Sequence, residues 1–73
     1  MAYSNETFAH RMKVMRAERK FTQKDLADAS GVGIDSIVRY EMGNVVPRLD
    51  NAFAIANALG CTIDNLLEDK SQQ

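Results

Sequence analysis

The side chains of this 73-residue chain that could do chemistry are cations, not nucleophiles or metal ligands. Arg11, Lys13, Arg16, Arg19, Lys20, Lys24, Arg39 and Arg48 fall within the first 48 residues, against six acids. Residues 49–73 hold one Lys against four acids. A front part basic relative to its tail suits contact with phosphates, although the whole chain carries a formal charge of −1. One histidine and one cysteine fall short of the usual zinc ligand set. Cys61 has no possible internal disulfide partner, so a reducing cytoplasm is the natural setting. No nucleophile, paired carboxylates or pocket motif stands out, so neither enzymatic activity, a cofactor nor a small-molecule ligand is expected. Gly31-Val32-Gly33 resembles the start of a dinucleotide fingerprint, but no strand precedes it and the third glycine is missing. No apolar run approaches the ~20 residues of a membrane span, and the first residues lack a basic-then-apolar leader, so no membrane partner is expected.

The elements that must position these cations read as five helices without strands, in a single domain over 1–73 with its core at about 6–68. Phe8, Met12 and Met15 recur at helical spacing in a first helix from Asn5 or Glu6 to Arg19, capped by Ser4 or Asn5. Thr22 caps a second helix, and Asp25 can reach back to the cap amide. Leu26 and Ala27 face inward, and Gly31 ends the helix. A third helix runs from about Gly33 to Met42, with Ile37 and Tyr40 or Glu41 inward, until Gly43 stops it. Pro47 introduces a fourth helix, Arg48 to Leu59, with Leu49, Ala52, Phe53, Ile55, Ala56 and Leu59 expected in the core. Thr62 caps a last short helix to about Glu68, followed by a polar tail from Lys70 to Gln73. So few residues after the fifth helix suggest a complete small protein. The segment Thr22–Pro47 is thus helix, glycine-centred turn, helix: a helix-turn-helix, suited to laying its second helix in the major groove of DNA.

Arg16, Thr22-Gln23, Leu26-Ala27, Gly31-Val32, Ser36-Ile37, Arg39-Tyr40-Glu41, Gly43, Pro47, Leu49, Ala56 and Leu59-Gly60 stand in an arrangement that resembles the phage-repressor and Cro-like (Xre) helix-turn-helix domains. The resemblance spans roughly Phe8 to Leu67 and implies an all-α, lambda-repressor-like bundle of five helices. It also implies a transcriptional regulator on double-stranded operator DNA, commonly as a homodimer. On the matching positions, Thr22 and Gln23 open the helix that meets the backbone, with Gln23 bonding a phosphate and buttressing the third helix. Ser36 and Asn44 lie at sugar-phosphate positions. Gly33, Ile34, Asp35, Val38 and Arg39 lie where relatives face base edges. There Arg39 could fork onto guanine, Ile34 or Val38 could pack on a thymine methyl, and Asp35 could accept from cytosine N4. The alternative for Arg39 is an i,i+4 ion pair with Asp35. Arg16 and Glu41 match a largely buried structural ion pair.

The chain departs from this pattern at the recognition face. Gly33 replaces the usual Ser or Thr, Ile34 and Asp35 replace basic or amide residues, and no Asn or Gln is left to read adenine. A repressor acting as a dimer on a palindromic operator is the expected function, with Val45, Val46 and Leu67 at the dimer interface. A protein-interaction module, antitoxin-like or adaptor, is the alternative that the Ile34-Asp35 face would suit.

Overall fold

The computed structural model describes residues 5–67. Among them five helices and no strand are present: α1 (Asn5–Glu18), α2 (Gln23–Ser30), α3 (Ile34–Glu41), α4 (Leu49–Leu59) and α5 (Ile63–Leu67). The all-α five-helix architecture agrees with the sequence reading. The expected Ser4 cap, the extension to Glu68 and the polar tail lie outside the described residues.

Local chemistry sets the helix ends. Thr22 Oγ1 accepts the Asp25 backbone N–H at 3.0 Å, while Asp25 Oδ2 accepts the Thr22 N–H at 2.9 Å. Two otherwise orphaned amides are satisfied by this reciprocal box. The bonds from Thr22 hold the Asp25 carboxyl below its ordinary range. Stability from this group is therefore present above the unfolded carboxylate pKa and lost as pH falls through the lowered folded value. Thr22→Ala is expected to cost about 1 kcal/mol. Thermal unfolding checks that cost, whereas it is the melting curve of Asp25→Asn, which removes the titrating carboxylate, that should converge towards that of the parent in acid; a constant gap down to strongly acidic pH would sink the linkage. At the other end of α2, Gly31 adopts φ 78° and its N–H closes onto the Ala27 carbonyl, the left-handed cap open to a residue without Cβ. In α5, Thr62 Oγ1 accepts from the Asn65 N–H and Asn65 Oδ1 from the Thr62 N–H.

One core joins all five helices. Phe8 and Met12 of α1, Leu26 of α2, Ile37 and Tyr40 of α3, Ile55 and Leu59 of α4 and Leu66 of α5 are buried together. Phe8 meets Tyr40 edge to face at 6.5 Å between centroids, a favoured aromatic geometry. Met15 is only half-buried and packs on the margin.

Two expected core residues are not in it: Leu49 is 69% exposed and Phe53 49% exposed. Consecutive helical residues are ~100° apart, so the inner stripe Ala52, Ile55, Ala56 and Leu59 leaves Phe53 on the flank. Leu49 opens the helix at its end, with a flank left open to solvent. The inward set on α3 is larger than expected, because Ile37, Tyr40 and Glu41 are all buried.

Candidate nucleic-acid interface

The third helix divides cleanly by face. Ile37, Tyr40 and Glu41 point into the bundle, whereas Ile34, Asp35 and Arg39 are exposed and Ser36 and Val38 are half-buried. The helix is held from below by a polar cluster. Glu41, whose side chain is 4% exposed, accepts from Arg16 Nε at 2.7 Å on Oε2 and from Arg16 Nη2 at 3.1 Å on Oε1. Gln23 Nε2 donates to the same Oε1 at 3.1 Å. Arg16 Nη1 donates to the Phe21 carbonyl at 2.8 Å. That carbonyl is brought within reach by Lys20, which turns the chain in the left-handed region at φ 59°. A two-pronged guanidinium–carboxylate pair is directional as well as strong. It ties the end of α3 to α1 and the start of α2, and so fixes how α3 is presented.

A second tie was not visible in the sequence: Asn51 Nδ2 donates to the Tyr40 hydroxyl at 2.9 Å, joining α4 to α3. Its only advance signal was a Tyr on an inward helical position, where a buried hydroxyl needs a partner.

The cations sort into engaged and available groups. Arg16 does not face phosphates, because its guanidinium is used by Glu41 and Phe21. Arg11 donates to the Asn65 carbonyl, Lys24 pairs with Asp28 at 3.0 Å and Arg48 with Asp50 at 3.3 Å. The last two pairs are exposed and can open to solvent or to an anion. No ion pair joins Asp35 to Arg39 among the described residues, so both side chains remain available at the α3 surface. Thr22 and Asn44 are exposed and Gln23 is half-buried. The start of α3 is uncapped by any side chain: Gly33 (φ −60°, ψ 145°) makes no such bond. A Cβ there would meet nothing within 4 Å. Gly33→Ser is therefore expected to raise stability by a few tenths of a kcal/mol, about 1–3 °C in melting temperature. A lowered midpoint would show that the cap geometry is unsuited to a hydroxyl.

Among the described residues no group of three His, Cys, Asp or Glu side chains could hold a metal ion. No helix among them is long and apolar enough to cross a membrane. What the surface offers is a helix presented outward over a rigid base, with hydrogen-bonding and apolar groups on its face.

Comparison with known proteins agrees with this geometry. A helix-turn-helix family model (HTH_3) matches residues 12–66. The chain belongs to this helix-turn-helix family. Among curated helix-turn-helix proteins it is 30% identical over 66 residues to the uncharacterised transcriptional regulator YqaE of Bacillus subtilis, covering 90% of this chain and 57% of YqaE. It is 31% identical over 62 residues to the cryptic phage CTXphi transcriptional repressor RstR of Vibrio cholerae, covering 85% of this chain and 56% of RstR. The chain thus spans just over half the length of these two relatives. With the uncharacterised regulator MJ0272 of Methanocaldococcus jannaschii it shares 37% identity over 57 residues, 78% of this chain and 86% of MJ0272. The crystal structure of a hypothetical transcription factor, NHTF from Neisseria, has the same fold: TM-score 0.86 at 24% identity, over 93% of this chain and 78% of that one. The resemblance to phage-repressor helix-turn-helix domains therefore holds at the level of family and fold.

Proposed function

We propose that this helix-turn-helix chain is a cytoplasmic transcriptional regulator that represses by occupying a palindromic operator as a dimer, with α3 in the major groove. The observation that carries this reading is the two-faced α3. Its inner side is fixed by Arg16, Glu41 and Gln23, and its outer side presents Arg39 and Asp35 without an ion pair between them.

Arg39 then forks onto guanine O6 and N7, Asp35 accepts from cytosine N4, and Ile34 with Val38 packs against a thymine methyl. Gly33 allows the α3 backbone to come close to a base edge. Phosphates are met by Thr22, Gln23, Ser36 and Asn44. Gln23 uses one amide hydrogen on Glu41 and keeps the other. Two copies would set their α3 helices ~34 Å apart, one turn of duplex. Val45 and Val46 are exposed and Leu67 is half-buried, and these three lie at the dimer interface in this reading. Repression is steric, with control through concentration or a partner protein. The repressor function named for RstR supports the direction of the proposal.

Selection from a random duplex library, with affinity measured across salt concentrations, tests it. The expected result is an enriched palindrome whose affinity falls steeply with salt as phosphate counterions are released. Weak, unselective retention would instead favour a protein-binding module.

A further inference from the structure

The outer face of α3 carries two columns side by side, Ile34 with Val38 and Asp35 with Arg39. Neighbouring helical residues are ~100° and ~1.5 Å apart, so Ile34 and Asp35 address adjoining points on whatever the helix faces. Ile34 is 44% exposed and stands outside the core cluster. Asp35 is exposed and its carboxylate makes no hydrogen bond or ion pair among the described residues. The surface beside them is open. A hollow of about 420 Å³ reaches from Lys24 past Gly31 and Gly33 to Ile34, and Gly33 raises no side chain into it. An acid in the first turn of α3 suits the helix dipole. On a surface turned to DNA, however, it repels phosphates and costs affinity unless a donor on a base meets it.

Asp35 and Ile34 thus ask for two things at one place, a hydrogen-bond donor and an apolar group. The edges exposed in the major groove offer few ways to supply both. Thymine sets its methyl beside an acceptor, O4, which opposes a carboxylate. Cytosine sets its donor, N4, beside a bare C5–H. The N6 donor of adenine lies between two acceptors, its own N7 and the O4 of the paired thymine. A cytosine methylated at C5 places the donor and a methyl side by side on a single base. We therefore infer that α3 reads 5-methylcytosine, Asp35 accepting from N4 while Ile34 packs on the C5 methyl. Val38 and Arg39 lie one turn further on, ~6 Å along the axis, where Arg39 takes a guanine within about two base-pair steps. This assignment rests on the operator binding proposed above and changes it in one respect. The methyl met by Ile34 belongs to the cytosine that Asp35 holds, not to a separate thymine. Occupancy of the operator then follows the methylation state of that cytosine.

The test begins with parallel selections from two random duplex libraries, one made with cytosine and one with 5-methylcytosine. Affinity is then measured on the selected operator with 5-methylcytosine, cytosine or thymine at the position whose preference changes in Asp35→Asn. 5-Methylcytosine should bind about fourfold tighter than cytosine per half-site, the worth of one buried methyl, and roughly fifteenfold tighter across two half-sites. Thymine keeps the methyl but loses the donor, and should bind roughly 5- to 150-fold more weakly than 5-methylcytosine. Ile34→Ala should abolish the preference for the methyl while keeping cytosine over thymine. Asp35→Asn, whose amide can donate as well as accept, should abolish the preference for cytosine over thymine. Both positions are exposed, and circular dichroism confirms that each variant is folded. A selected operator bound no more tightly with 5-methylcytosine than with cytosine overturns the inference and leaves operator binding standing. A methyl preference that survives in Ile34→Ala overturns it as well. Enrichment from neither library removes operator binding, and methyl reading with it.

Discussion

Replacing Arg16 by Ala is expected to lower folding stability by about 3–5 kcal/mol, the cost of leaving a buried charge without its partner. Glu41 is almost entirely enclosed, and two of its three side-chain donors come from Arg16. After truncation the carboxylate would retain only the Gln23 amide, at 3.1 Å. The Phe21 carbonyl, which receives 2.8 Å from Arg16, loses its donor as well. A domain of this size has roughly 4–11 kcal/mol to lose. The midpoint should therefore fall by roughly 15–30 °C, as measured by thermal and urea unfolding together. Arg16→Lys should recover little, since an ammonium cannot span both carboxylate oxygens and the carbonyl. Replacing both partners at once by Met and Leu should be far milder than Arg16→Ala, because no charge is then left stranded. An unchanged midpoint for Arg16→Ala would show that the pair contributes only as a surface contact.

The second large effect is expected in binding, not in stability. Arg39→Ala should reduce affinity for a selected operator by roughly 5- to 150-fold, the discrimination of one bidentate contact to guanine. Arg39 is exposed on α3 and has no ion pair with Asp35, so the melting temperature should change little. Preference at a single base-pair position should relax while the salt dependence stays nearly as steep, which separates base reading from phosphate attraction. Arg39→Lys should restore charge but not the fork, and so recover only part of the loss. Equal binding of the parent and Arg39→Ala to the selected operator would remove Arg39 from the recognition surface. A uniform loss across all sequences would reassign it to a phosphate.

The two experiments act on opposite faces of one helix. Glu41 anchors α3 to α1 and α2 from inside, and Arg39, two residues earlier, faces outward. A destabilised Arg16→Ala protein should lose operator binding through a displaced α3, whereas Arg39→Ala should lose it with the fold intact. Measuring both properties on both variants separates presentation of the helix from what the helix presents.

The sequence by itself determined most of the helix ends, which depend on neighbours along the chain. Helix starts and stops followed from Thr22 with Asp25, from Gly31 and Gly60, and from Thr62, because caps act over three or four residues. The inner stripe of α1 and most of that of α4 followed from helical period, and the spacing from Arg16 to Gly60 was enough to mark the helix-turn-helix family. Tertiary structure alone decided which apolar residues found a neighbour and which polar groups were consumed. Leu49 and Phe53 have the composition of a core, yet the flank of α4 they occupy is left open to solvent. Arg11 read as a cation for phosphates, but its hydrogen bond reaches the Asn65 carbonyl, 54 positions away in the chain, and the Arg16–Glu41 pair, 25 positions apart, was expected from the family resemblance and not from local chain chemistry. The Tyr40–Asn51 tie and the open Asp35–Arg39 spacing were equally out of reach. Hydrophobic periodicity reports which side of a helix is apolar, but burial and pairing depend on where the other helices stop, and only the packed bundle fixes that.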